Sequence, residues 1–370
     1  MNSVIPAPIA SLPWRVMFIL FALVGFGAAI LYSAAGGHLE PYAGKHVARF
    51  LMFLAMALVM SRLSMDFWKG ITFPLYLVLL VMLVIVEMIG FVGGGSKRWI
   101  DLGLITIQPS ELMKPAIVLA AAWFFDRLPP SKILGIDAIW PVAALLIIPS
   151  VLVIIQPDFD AAIAFGFSVV VVGFLAGWPL IYFFAGGAAL AALAPIVYFF
   201  GLRPYQQDRV LIFLAPEKDP LGAGYHITQS KIAIGSGGIF GKGFGNGTQS
   251  HLDYLPEGHT DFVFATMAEE WGIIGGFLIL FLYYLLMRWG MNVAQQSRTR
   301  YGQLVAAGLT CTIFFYIMVN LLMVVGLAPV AGLPLPFISH GGSSMLTMMI
   351  CVGIIMSIER HPGPKRGKFA

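Results

Sequence analysis

The chain has 370 residues, of which 59% are apolar and 11% charged, with a net charge of +4 and a mean hydropathy of +0.87. Ordinary soluble domains are about 25% charged, so a soluble globular fold is excluded: so few charges cannot cover so much apolar surface. No basic cluster is interleaved with aromatic residues, which excludes nucleic acid as a partner, and Cys311 and Cys351 fall inside apolar runs, as small buried hydrophobes rather than a disulfide or metal pair.

Apolar runs near 20 residues recur along the whole length. They predict an all-α polytopic membrane protein, one transmembrane domain over 1–370, whereas a β-barrel would show alternating segments of about 10 residues. Ten spans are expected, at 14–35, 46–62, 71–92, 112–126, 138–155, 161–176, 180–200, 262–288, 301–326 and 341–358. Each is long enough, or nearly so, for a hydrocarbon core of about 30 Å. The first run ends in SAAG, which loosely mimics a signal-peptidase site. It exceeds a usual signal h-region and more spans follow, so it reads as a retained helix. With the N-terminus inside, twelve Lys and Arg residues fall in inner segments (Arg15, Arg62, Lys69, Arg127, Lys132, Arg288, Arg298, Arg300, Arg360, Lys365, Arg366, Lys368) and five in outer short loops (Lys45, Arg49, Lys97, Arg98, Lys114). That bias puts both termini in the cytoplasm and the long loop at about 201–261, between spans seven and eight, outside. The basic tail reads as an inside anchor, with a lipid-binding patch as the alternative. The absence of an obvious internal repeat counts against inverted-repeat transporters.

Polar motifs are few and local. Between spans three and four lies SKRWIDLGLITIQPSELMKP, in which Glu111 and Lys114 are three apart at a helix start and share a face. They form a local ion pair, or Lys114 and Arg98 face a polar substrate, with Trp99 as an interfacial anchor. Gln156-Pro157-Asp158-Phe159-Asp160 places two carboxylates at a turn beside the membrane, as a helix start or as ligands for a cation. The stretch 226–272 concentrates ionisable residues and glycines in an otherwise greasy chain, which marks it for chemistry. Its run from Gly235 to Gly243 is too glycine-dense for an ordinary helix. It is either a re-entrant turn or a set of N–H groups that, with Lys242, holds an anionic oxygen; Gly243 after Lys242 rules out a Walker loop. Asp261 sits where the loop feeds span eight. It is either a carboxylate satisfied by the helix N-terminus or a general base, with His259 close by. Glu269 and Glu270 lie about 12 Å further along the same helix, as ion-pair partners or active groups. Near the C-terminus, PLPFISHGGSS breaks any helix and offers Ser343 and Ser344 as caps for the last span; irregular backbone at that depth must be covered or line a cavity. The sequence has no HExxH pair, GxSxG elbow or cofactor fingerprint, so no organic cofactor is expected.

These segments resemble the SEDS family (shape, elongation, division and sporulation proteins of the bacterial cell wall). The likeness covers the segment before Lys114, the QPD turn, the loop DPLGAGYHITQSKIAIGSGGIFGKGFGNGTQSHLDYLPEGHTDFVFATMAEEWG, and PLPFISHGGSS. GNGTQS followed by LPEGHTDF is closer to the elongation branch than to the division branch. The resemblance implies ten spans in the bacterial cytoplasmic membrane and peptidoglycan glycosyltransferase activity on lipid II. It also implies a class B penicillin-binding transpeptidase as partner, with the elongasome proteins MreC and MreD. By motif position Asp261 falls on the family's essential acid. Glu111, Lys114, Arg98, Trp99, Asp158 and Lys242 fall in segments used for activity or substrate contact; His259 and Glu269 are added as substrate-side candidates. Three departures stand out: Gly258 where an Arg is usual, Phe159-Asp160-Ala161 after QPD, and His340 for a common Tyr. The extra charge of Asp160 suggests a divalent cation, Mg²⁺ or Mn²⁺, held among Asp158, Asp160 and Asp261. Without the Arg, phosphate contacts would rest on Lys231, Lys242, Arg203 or Arg209. The expected chemistry is an inverting sugar transfer with Asp261 as base. The alternatives are a lipid II flippase, using Glu87, Glu269 and Glu270 as a polar path, and a non-catalytic scaffold that activates the transpeptidase.

Overall fold

The computed structural model describes residues 13–93, 96–101, 106–201, 204–215, 222–251, 254–255 and 257–363. Arg203, Asp253 and the tail cations Lys365, Arg366 and Lys368 lie outside the described residues, as do the side chains of Lys97, Arg209 and His251.

The apolar runs become helices because a helix satisfies every backbone polar group within its own segment, as hydrocarbon surroundings demand. In chain order these are α1 (Trp14–Ala34), α2 (Ala43–Met60), α3 (Met65–Ile89), α4 (Pro109–Arg127), α5 (Ile136–Ile155), α6 (Phe159–Ala176) and α7 (Leu180–Ile196). The long loop then contributes α8 (Pro204–Leu214), α9 (Ala223–Gly237) and α10 (Thr248–His251), before the spans α11 (Val263–Gln296), α12 (Arg300–Val324) and α13 (Gly342–Arg360). All ten expected spans are present as long helices. Among the described residues nine are long and apolar enough to cross a membrane, and the chain is a multi-pass membrane protein. The other, α4, carries Glu111 and Lys114 at one end and Asp126 and Arg127 at the other.

α4 nevertheless stands at the centre. It packs against α3, α5, α6, α12 and α13, and every residue from Met113 to Ala122 is buried. Ala116, Ala120, Ala121 and Ala122 let neighbouring backbones close in, the usual means of helix association where lipid removes the hydrophobic drive. Its inner-end charges are matched. Lys69 pairs with Asp126 at 2.9 Å, Asp126 also accepts the Tyr301 N–H at 3.0 Å, and Arg127 stacks over Trp123 at 3.8 Å. At the other extreme, α7 has no buried residue and continues into a π-helical turn over Val197–Gly201.

Three expectations need correction. The segment after α3 is not plain loop: β1 (Phe91–Gly93), β2 (Ser96–Asp101) and β3 (Thr106–Ile107) form an antiparallel sheet in that order. Such short strands carry no alternation to read. The glycine-rich stretch is helical as far as Gly237, because α9 packs along α11 and tertiary contact outweighs the propensity cost of about 1 kcal/mol per glycine. The last span is also not capped by Ser343 or Ser344; its N-cap is Gly341, with no side-chain cap.

Candidate active site

A cleft of about 500 Å³ opens between β2, the start of α4, the start of α6, the turn before α11 and the segment before α13. Arg98, Trp99, Glu111, Lys114, Asp158, Asp160 and Asp261 all line it. The dispersed motifs of the sequence therefore meet at one place.

Asp261 belongs to a tight turn ahead of α11. The N–H groups of Thr260 and Phe262 donate to Glu257 O, each at 3.1 Å, and Thr266 Oγ1 donates to Gly258 O at 3.1 Å. Three outside contacts pin this turn. Asn320 Nδ2 donates to Asp261 O and to Leu333 O, both at 2.8 Å. Ser339 Oγ donates to Thr260 O at 2.6 Å, and the His340 N–H donates to His259 O at 2.9 Å. Phe262 is buried while Asp261 itself is half-buried. The turn thus anchors through its apolar neighbour and leaves the carboxylate at the cleft wall.

Another part of the lining belongs to a buried charge network. Lys114 Nζ lies 2.5 Å from Glu111 Oε1 and donates also to Tyr316 Oη, which in turn donates to Glu111 Oε2 at 2.6 Å. Lys114 is 1% exposed, so this triad is tolerable only because each partner is satisfied. Arg98 is clamped by the QPD turn: Nε donates to Gln156 O at 3.2 Å, Nη2 donates to Pro157 O, and Nη1 stands 3.7 Å from Asp158 Oδ1. Asp158 caps α6 through the Ala161 N–H at 3.4 Å and accepts Ser110 Oγ at 2.8 Å and Gln108 Nε2 at 3.2 Å. Its carboxylate therefore builds the site rather than presenting itself to a ligand. Asp160 Oδ2 accepts the Gly332 N–H at 3.3 Å. Among the described residues no group of three His, Cys, Asp or Glu side chains is set to hold a metal. With Asp158 spent in this way, the expected cation set of Asp158, Asp160 and Asp261 does not fit.

Lys242 and Glu269 lie elsewhere. Lys242 Nζ bonds Glu269 Oε1 at 2.6 Å and Thr248 Oγ1 at 2.8 Å. The same carboxylate accepts the Thr248 N–H at 2.9 Å and the Gln249 N–H at 3.1 Å. The glycine loop does not offer an anion cradle either. α11 breaks at Gly272, where φ is +62°, and the loop repairs the break. The N–H groups of Lys242 and Gly243 donate to Glu269 O and Glu270 O at 2.9 and 3.0 Å, and those of Ile273 and Ile274 donate back to Gly238 O and Ile239 O at 3.0 and 3.3 Å. Gly241, at φ +78°, sits so close that a Cβ there would be 2.0 Å from Glu270 O. The glycines are spent on this backbone crossing. Glu270 is also engaged, accepting Ser33 Oγ across the α1–α11 contact.

His259 is not among the cleft residues. Its ring stacks on Tyr42 at 4.1 Å, and His340 meets Tyr42 edge-on at 5.4 Å and Arg49 Nη1 at 3.3 Å. Burial holds the His259 pKa below its usual value, against a smaller opposing pull from Glu257. Burial and then Arg49 push His340 down to about 4.

Residues 13–363 match the profile of the FtsW, RodA and SpoVE cell cycle proteins. The chain belongs to this family. It is 42% identical over 353 residues to the peptidoglycan glycosyltransferase MrdB of Escherichia coli (strain K12), spanning 93% of this chain and 92% of that one. It is 35% identical over 313 residues to stage V sporulation protein E of Bacillus subtilis (strain 168), spanning 83% and 79%. Among solved structures it superposes with a TM-score of 0.83 on a chain from a peptidoglycan synthase complex that coordinates polymerization and crosslinking, at 31% identity and covering 95% and 98% of the two chains. The rod shape determining protein RodA of Thermus thermophilus gives 0.71, at 28% identity and 95% and 97% coverage.

In this FtsW, RodA and SpoVE family chain, sequence reading missed Tyr316 and Asn320, two polar residues in the last third of α12. An Asn inside an apolar span is itself a signal, but nothing local shows that it reaches the Asp261 turn. Gln108 and Ser110 were passed over because their partner, Asp158, is about fifty positions away.

Proposed function

We propose that this multi-pass membrane protein, a peptidoglycan glycosyltransferase, polymerises lipid II into glycan strands at the outer face of the bacterial cytoplasmic membrane during elongation, with both termini in the cytoplasm. The observation that carries the reading is one cleft holding Asp261 together with Arg98 and Lys114. The Asp261 carboxylate takes the proton of the acceptor 4-hydroxyl. The freed oxygen lone pair forms a bond to the donor anomeric carbon from the face opposite the leaving group. The carbon–oxygen bond to the pyrophosphate breaks with its electron pair, so the anomeric centre inverts. A pyrophosphate leaving group needs no strong acid; it needs positive charge nearby, which Arg98 and Lys114 offer. The pinned turn around Asp261 supplies preorganisation, and the membrane holds both lipid-linked substrates in one plane.

The cleft lining contains five carboxylic side chains, Glu111, Asp158, Asp160, Glu257 and Asp261, against the two basic ones. An incoming pyrophosphate therefore favours its own counter-ion, Mg²⁺ or Mn²⁺ arriving with the substrate. Trp99 borders the same cleft and suits a sugar or peptide face. Lys242, Glu269 and His259 are proposed to act by holding the loop rather than by touching lipid II. A class B penicillin-binding transpeptidase is the proposed partner, supported by the likeness to a synthase complex of polymerization and crosslinking. MreC and MreD are proposed on the elongation-type loop motif.

The flippase reading loses support from geometry. Glu87 is exposed on α3, while Glu269 and Glu270 are bound to the α9–α11 loop and to Ser33, so these carboxylates share no path. Purified protein in liposomes, with and without the transpeptidase, tests both readings against labelled lipid II. Glycan strands are expected. Translocated lipid II without strands would support a flippase, and neither product in the presence of transpeptidase would leave only a scaffold.

A further inference from the structure

A second cavity, also about 500 Å³, lies far from the catalytic cleft, between the ends of α6 and α11 and floored by the start of α12. Arg300 at its rim and Asn320 beside Asp261 are twenty residues apart on α12, about 30 Å at 1.5 Å per residue. The two cavities thus open at opposite ends of the membrane-spanning bundle. The far cavity is lined by Arg298, Arg300, Gln295 and Gln303 together with apolar groups such as Leu175 and Met291.

The charges here are set up differently from those at the cleft. Arg300 donates to Leu128 O at 3.4 Å and to Ala176 O at 3.0 Å, the terminal carbonyls of α4 and α6. Arg298 donates to Gly363 O at 3.3 Å, and Gln303 Nε2 donates to Ser297 O at 2.9 Å. Neutral carbonyls fix the direction of a guanidinium without cancelling its charge. Among the described residues no carboxylate lines the cavity. Two oriented positive charges, two amides and an apolar wall at the end of membrane spans match an amphipathic anion: a phosphate at the rim with its acyl chain along α11 and α12.

We propose that this cavity is a binding site for the headgroup of an anionic membrane phospholipid, in the leaflet opposite the catalytic cleft. A free phosphate compound would use only the arginines and leave Leu175 and Met291 uncovered. A zwitterionic phospholipid would bring a cation against the two guanidinium groups.

Native mass spectrometry of the full-length protein, released from micelles doped with equal phosphatidylglycerol and phosphatidylcholine, reads the site directly. Wild-type protein is expected to retain phosphatidylglycerol at least about fivefold over phosphatidylcholine, since a lost charge-assisted contact is worth about tenfold. Arg298→Gln, on an exposed residue remote from the cleft, should cut that preference to near unity while glycan synthesis from lipid II persists. Arg300→Lys, which keeps charge but loses the fork to the two helix ends, should weaken the preference less than Arg298→Gln. Glycerol phosphate without acyl chains should not displace the bound lipid. Equal retention of the two lipids by wild type, or an unchanged preference in Arg298→Gln, would overturn the proposal. Full displacement by glycerol phosphate would also overturn it, in favour of a soluble phosphate ligand.

Discussion

At the residue scale, Asp261 is less informative by its own charge than by what surrounds its backbone. Asn320 joins Asp261 O to Leu333 O, so it sets the position of the turn from which the carboxylate projects. Asn320→Ala leaves the buried Leu333 carbonyl and the part-buried Asp261 carbonyl without their donor and should cost about 2–3 kcal/mol of stability. Its kinetic mark should be a fall in turnover larger than any rise in KM for lipid II, because misplacing a base by about 1 Å costs rate of order 100-fold. The triad of Glu111, Lys114 and Tyr316 behaves as one unit. Lys114→Met strands a buried carboxylate and should destabilise the protein by about 3–5 kcal/mol, whereas Glu111→Gln with Lys114→Met should recover most of that stability while polymerisation stays impaired. Thermal melts in detergent of the two singles and the double check the first part, and strand synthesis checks the second.

At the element scale, α11 shows how a broken helix is paid for. The break at Gly272 frees backbone groups that hydrocarbon would not tolerate, and the loop after α9 returns hydrogen bonds to them. Lys242 and Glu269 then fasten that loop from outside. Gly241→Ala puts a Cβ against Glu270 O at a positive φ. It should destabilise the protein by about 2–4 kcal/mol and increase protease cutting of the loop more than cutting at other loops. Sequence reading identified this stretch as special but left its glycines open between a re-entrant turn and an anion cradle. Density of glycine reports freedom of the backbone, not its purpose, and a close crossing of two chain segments demands the same residue as a phosphate cradle. The spans themselves were legible because length and apolarity alone decide them. The small sheet that presents Arg98 and Trp99 was not, since three short strands leave no period to detect.

At the scale of the whole molecule, residues from five separate segments between Arg98 and Leu333 converge on the cleft. Sequence alone could nominate Asp261, Lys114, Arg98 and Asp158 singly. Their meeting required the helix order, because α4, α6, α11 and α12 supply it jointly. The histidines beside the cleft add a pH dependence. His259 and His340 stack around Tyr42, facing Arg49, Lys45 and His46 of α2 and Glu257 of the Asp261 turn. Both titrate below their usual value in the folded protein. The unfolded chain therefore binds more protons once pH drops below about 6.5, and folding stability present above that pH is lost on acidification, down to about 4 for His340. Melting in detergent between pH 7.5 and 5 should show this decline, and His340→Gln should flatten it.

The central claim is that Asp261 removes the proton from the attacking sugar hydroxyl. Its most direct measurement is single-turnover glycan formation from purified lipid II by wild-type protein and by Asp261→Asn, each with its transpeptidase and each shown to bind lipid II and to melt at the same temperature. A loss of about 10²–10⁴-fold in the chemical step with substrate binding retained is the predicted result. A folded Asp261→Asn protein that still joins lipid II at the wild-type rate would contradict it.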